Sequence, residues 1–227
     1  YDEKITVKPK SEAEVINDLL NQKAKVAITT RDLTADERVR FEKSKINPRV
    51  TPIARDAIAF ISSKSNNDTL IALKSVIDFL QGKPDPKIKG LVFDNPNSST
   101  VRYIKELAKV KEVPKSGVFS FKTNNEVIKF VSENEGMIGV IGINWFYQPT
   151  PDMTETIKKI NVLYVKGLDS NEYYSPTQND LEIGKYPLAR DLFIINCQGY
   201  SGLGMGFASF IAGDIGQRIV LKSGLLP

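Results

Sequence analysis

Ser98, Ser99 and Thr100 stand in a row inside DNPNSSTVRYI, where a Pro-broken turn leaves the apolar run GLVF and enters the helical pattern VRYIKELAKV. One hydroxyl is enough to cap a helix. A helix N-terminus carries about four unpaired N–H groups and roughly half a positive charge. Either Ser98 is a plain cap, or an oxygen-rich anion sits against these hydroxyls and amides. Thr29 and Thr30 repeat the theme at the end of VAITT, and they also fit as ordinary β-branched strand-end residues. Asp56 follows Arg55 in IARDAIAFISS. A carboxylate among such donors repels a bare anion but accepts a hydrogen bond from one that carries its own proton. Hydrogen phosphate does and sulfate does not, and such a bond is worth roughly 1.5–3 kcal/mol. The plainer reading of Asp56 is an edge carboxylate paired with Arg55. Trp145 and Phe146, in GINWFY, read more simply as packing.

Composition excludes several chemistries. The 227 residues contain no histidine, which removes a Ser-His-Asp triad and most zinc or iron sites. Cys197 is the one cysteine; it lies in the apolar run LFIINC and reads as a small core residue with no disulfide partner. Charged residues make up 26% and apolar ones 41%, an ordinary soluble balance, and no apolar run approaches a membrane span. The formal charge of +4 is spread along the chain, which supports nucleic acid less than it supports an anionic ligand. The chain starts at Tyr1, so a processed or truncated product is expected, with a signal or lipid anchor able to precede it.

The elements that must position these residues alternate. KITVKP reads as a strand, SEAEVINDLLNQK as a helix capped by Ser11, AKVAITT as a strand, and TADERVRFEKS as a helix capped by Thr34. IARDAIAFISS is a further strand, and NNDTLIALKSVIDFLQGK is a polar break and a helix stopped at Gly82. KGLVF, SGVFSF and GMIGVIGI are strands alternating with helices at SSTVRYIKELAKV and NNEVIKFVSEN, the latter capped by Asn124 or Asn125. KINVLYV reads as one strand, YYSPTQNDLEIGKYP as extended chain, and RDLFIINC as a strand. A single helix of small residues (Gly206, Ala208, Ser209, Ala212) is expected to close the chain against the sheet. This is the rhythm of an α/β protein, in which ligands bind beyond the carboxyl ends of strands.

The residues also carry a resemblance. AITTRDLTADE, IARDAIAFISSKSN, NSSTVRYI, GMIGVIGINWF and the closing KYPLARDLFIIN and GFASFIAGDIGQRIVLKSGLLP are similar to the phosphate-binding proteins of bacterial phosphate ABC importers. These belong to the type II periplasmic-binding-protein superfamily. The resemblance covers nearly the whole chain from the family's second strand onward. It implies two α/β lobes, each a mixed sheet flanked by helices, with a ligand cleft between lobes. The first lobe is expected at 1–66 and 186–227, the second at 67–185. It also implies an extracytoplasmic binding protein for inorganic phosphate, located in the periplasm or cell envelope and possessing or lacking a lipid anchor. Its partner is an inner-membrane ABC permease; a monomer is expected, with no catalysis, cofactor, metal or nucleic acid.

By the same resemblance Thr29 (with Thr30 beside it), Asp56, Ser98, Ser99 and Thr100 bind phosphate, Ser99 replacing a family glycine. Asp94 stands where better-known members carry Arg, and Arg31, Arg55 and Arg102 are candidates for compensating charge. Two alternatives stay open: a binding or sensor lipoprotein of the same fold for another oxyanion, and a phosphate-handling enzyme.

Overall fold

The computed structural model describes residues 5–227, and the chain divides into two compact units, 1–55 with 190–225 and 56–189. The passage into the second unit falls between Arg55 and Asp56 and the return between Ala189 and Arg190, against expected crossings near Asn66 and Tyr186. The reason lies in the pairing of AIAFISS, set out below.

In unit 1, residues 5–10 form no strand, although KITVKP alternates like one; its Lys4 lies outside the described residues. Alternation marks a chain able to pair but does not supply the neighbour. Helix α1 (Glu12–Leu20) buries Ile16 and Leu19. Strand β1 (Val26–Thr29) leads to α2 (Ala35–Lys43), where Thr34 and Glu37 form a reciprocal capping box. The start of β2 (Arg49–Ser63) completes the first passage through this unit.

Unit 2 takes the rest of β2, then β3 (Leu70–Ala72), α3 (Leu73–Leu80), β4 (Gly90–Phe93), α4 (Ser99–Ala108), β5 (Val118–Ser120), α5 (Asn124–Glu133) and β6 (Met137–Gly142). Short pieces follow: α6 (Asn144–Tyr147), α7 (Thr154–Ile157), β7 (Ile160–Val162), β8 (Tyr164–Lys166), β9 (Tyr173–Tyr174) and α8 (Gln178–Glu182). The main sheet of unit 2 runs β2-β6-β4-β5, with β4 parallel to both β5 and β6 and β2 antiparallel to β6. Ile58 faces Gly142 and Ile61 faces Gly139, and β7 pairs the end of β2. AIAFISS therefore belongs to unit 2. Gly139 is required where it stands: a Cβ there would come within 2.7 Å of Ile61 Cγ1.

KINVLYV is two strands, not one, because β7 joins β2 while β8 joins a separate small sheet, β3-β8-β9. That partner also makes LIA a strand ahead of α3, where helical periodicity alone reads through it. YYSPTQNDLEIGKYP holds β9 and α8, so it is not extended throughout.

Back in unit 1, β10 (Ala189–Asn196) pairs antiparallel with β1, Thr29 facing Phe193, and lies next to β2 in strand order. The closing segment is two helices, α9 (Leu203–Ala212) and α10 (Asp214–Lys222), parted at Gly213. Gly204 and Ala208 of α9 and Gly216 of α10 are its buried small residues; Gly206, Ser209 and Ala212 are exposed. Gly204 is the close approach, since a Cβ there would meet Val26 Cγ2 at 2.8 Å. Residues four apart share a helix face, so burying 204 and 208 turns 206 outward.

Candidate functional site

In unit 1, β1 ends at Thr29, which is 3% exposed. Its hydroxyl donates to the Arg31 carbonyl at 2.8 Å. The Thr30 amide and hydroxyl both donate to Glu12 Oε1, at 2.8 and 2.7 Å. The Arg31 guanidinium grips Glu37 through two 2.8 Å hydrogen bonds and lies 3.6 Å from Glu12. That bidentate grip holds the Glu37 carboxyl down at about 2, below its ordinary 4.5. Thr29, Thr30 and Arg31 are thus brought together with Glu12, which sequence reading passed over as a helix residue. The signal available for it was an acid in the first turn of α1, a position that favours negative charge.

In unit 2, the carboxyl ends of β4, β5 and β6 lie along one edge of the sheet, because the three strands are parallel. Three strand exits meet there: Asp94 to Thr100 into α4, Thr123 and Asn124 into α5, and Ile143 into α6. Antiparallel β2 enters the sheet at the same edge, and the Ile143 amide donates to the Ala57 carbonyl at 2.9 Å. Asp56, one residue earlier, is 5% exposed, and its Oδ1 accepts from the Ala57 amide. It is not a surface carboxylate paired with Arg55: Arg55 instead donates to Asp191 at 2.8 Å.

Ser98 is the N-cap of α4; its Oγ accepts from the Val101 amide at 3.2 Å and donates to Asp94 Oδ1 at 2.6 Å. Asp94 is 8% exposed, and its Oδ2 accepts from Asn124 Nδ2 at 3.2 Å. Asn124 Oδ1 is buried without a hydrogen-bond partner among the described residues. Ser99 opens α4 half-buried, and Thr100 is buried. Arg102 pairs with Glu106 one turn on. The cap of α5 is Thr123, whose hydroxyl accepts from the Glu126 amide, and not Asn124 or Asn125. Asn124 is therefore available to the edge. Its place after a strand, matching that of Ser98, was the legible clue.

Trp145 and Phe146, on α6, pack half-buried against the core of unit 2. Cys197 is half-buried, and desolvation pushes its thiol up to about 11, so it is protonated at neutral pH. Among the described residues no cluster of His, Cys, Asp and Glu is placed to hold a metal ion, and no helix is long and apolar enough to cross a membrane.

Comparison with known proteins joins these features to a family. A model of the PBP superfamily domain matches residues 1–214. The phosphate-binding protein PstS of Borreliella burgdorferi is 30% identical over 243 aligned residues, covering 98% of this chain and 79% of that protein. The solved structure of PstS from Borrelia burgdorferi superposes with a TM-score of 0.58 at 27% identity, over 94% of this chain and 83% of that one. An ABC-type phosphate transport receptor from Vibrio cholerae gives a TM-score of 0.69 at 18% identity, over 94% and 84%. The fold, helices flanking mixed sheets, is that of type II periplasmic-binding proteins.

Proposed function

The chain belongs to the PBP superfamily, and on that premise we propose that it is the phosphate-binding component of an ABC importer. The observation that carries this reading is the α4 N-terminus, where Ser98, Ser99 and a buried Thr100 follow a strand at the carboxyl edge of the unit 2 sheet. A relative 30% identical across 98% of the chain and itself a phosphate-binding protein supports it. In this reading the candidate binding groups are Thr29 and Thr30 within unit 1, and Asp56, Ser98, Ser99 and Thr100 within unit 2. The protein works outside the cytoplasm, in the periplasm or lipid-anchored at the envelope, and hands phosphate to an inner-membrane permease.

Calorimetric titration with phosphate and sulfate tests the reading. Saturable phosphate binding is expected, weakened about tenfold or more by Ser98→Ala, the loss of one hydrogen bond to a charged ligand. No heat with phosphate sinks it. A second reading, a binding protein for another oxyanion, is favoured by the buried carboxylate of Asp94; tighter binding of a different oxyanion than phosphate in the same titration would select it.

A further inference from the structure

A second cluster of donors lies in unit 1, at the end of β1 away from Thr29, where Val26 pairs with Asn196. There β10 leaves the sheet through CQGYSGLG, a loop with glycines at 199, 202 and 204, and the chain enters α9. The first amides of a helix have no partner within it and carry the positive end of its dipole. Gly202 at the N-cap has no side chain to serve them, and the Leu203 and Met205 amides have no acceptor among the described residues. The Gly204 amide donates to Gln198 Oε1 at 2.8 Å.

Asn196 adds a buried donor. It is 2% exposed, and its carboxamide lies against the first turn of α9: a Cβ on Gly204 would stand 3.0 Å from its Oδ1. That oxygen accepts from the Gln198 amide at 2.9 Å, which fixes the orientation of the group. Its Nδ2 is left buried with no acceptor among the described residues. Two cations flank the same turn. Lys25, whose carbonyl accepts from the Cys197 amide, places its Nζ 3.3 Å from the Tyr200 hydroxyl, and Arg49 donates to Met205 Sδ at 3.9 Å. Neither has a carboxylate partner among the described residues.

We infer that this loop is a second anion site, for a small oxyanion of the phosphate type, separate from the candidate site above and independent of the phosphate reading. The oxyanion takes the place that the Gln198 carboxamide oxygen holds at the Gly204 amide. There it also meets the Leu203 and Met205 amides and gives the Asn196 NH2 an acceptor, while Lys25 and Arg49 supply opposite charge. Gly204 admits the approach, since a Cβ would come within 2.8 Å of the Gln198 oxygen whose place the ligand takes. A free ion and the phosphate of an anionic lipid headgroup share this chemistry. Tyr200 and Leu203 lie exposed on the same loop, so both sources are tested.

The protein labelled for nitrogen resonance is titrated with sulfate and with phosphate at fixed pH and ionic strength. Saturable shifts of the 202–205 amides and of the Asn196 NH2 are expected, and Ser98→Ala is expected to keep them. Lys25→Gln combined with Arg49→Gln, both at exposed positions, should weaken this binding about tenfold or more. Asn196→Asp keeps the acceptor for the Gln198 amide but puts a like charge where the donor was, and should abolish the shifts. Flotation with phosphatidylglycerol vesicles, against phosphatidylcholine, separates the sources: flotation that the double variant loses assigns a headgroup, and none assigns a free ion. No saturable shift with either ion overturns the inference, as does an affinity unchanged in the double variant, which decides the matter even if Asn196→Asp does not fold. Shifts lost in Ser98→Ala would mean that the loop only reports on the candidate site, and overturn it equally.

Discussion

The two units hold similar hydroxyl groups in different hydrogen-bonding settings. In unit 1 the Thr30 donors and the Arg31 cation are held by Glu12 and Glu37, in a network that also caps α2. In unit 2 the Ser98 hydroxyl and the Asn124 amide are both turned on one carboxylate, Asp94. The first arrangement joins local folding to charge pairing. The second gathers a hydroxyl and an amide on a buried carboxylate at a strand exit. Their interiors differ too. Unit 2 has one continuous core built on Phe60, Leu91, Ile128 and Ile141, whereas unit 1 splits its apolar residues between a cluster around Phe41 and Leu19 and a smaller one around Ile53, Ile194 and Ala208. A divided core leaves each cluster fewer neighbours to absorb a loss.

That contrast is broken most strongly at Phe41, fully buried in unit 1. Phe41→Ala is expected to cost about 3–5 kcal/mol. Hydrogen exchange should show unit 1 amides losing protection while the β4 and β6 amides keep theirs. Equal loss in both would mean that the units unfold as one.

Next in size is the ion pair of unit 1. Glu37 has its carboxyl lowered to about 2 by Arg31, from 4.5, so its stabilisation is present above about 4.5 and is lost as pH falls toward 2. Glu37→Gln should cost about 1–2 kcal/mol at pH 7, after allowance for solvent screening, and almost nothing near pH 2. Urea melts of both proteins at the two values check this; a pH-independent difference would assign the effect to the capping box alone.

Ser98→Ala removes the cap of α4 and should cost about 1 kcal/mol of stability. A thermal melt without ligand reads that term, separate from the loss in phosphate affinity. An unchanged melting temperature would mean that Asp94 or water caps α4 as well as the hydroxyl does. Smallest of all is Arg55→Gln. Its pair with Asp191 is exposed on both sides, and a change within about 0.5 kcal/mol is expected in the same melt. A larger cost would give that pair a part in positioning β2.

Much of this was legible in the residues before any coordinates. Thr34 with Glu37 and Ser98 before VRYI are caps because a side chain and the amides it serves lie within three residues, close enough to meet in any helical chain. GLVF and GMIGVI are strands on their apolar runs alone. What the spacing of residues left undecided were choices among distant partners. Strand β3 exists because β8, over ninety residues later, pairs with it, and KINVLYV splits because its halves find different sheets. AIAFISS joined unit 2 through β6 for the same reason. The candidate site divides along that line. Its hydroxyls were readable as residue types at a strand exit. The engagement of Thr30 with Glu12 and the arrival of Asn124 at Asp94 were not, since hydrogen bonds between residues 18 or 30 positions apart form only after helices and sheet have brought them together; the Ser98 proton, four residues from Asp94, is directed by how the turn between them folds.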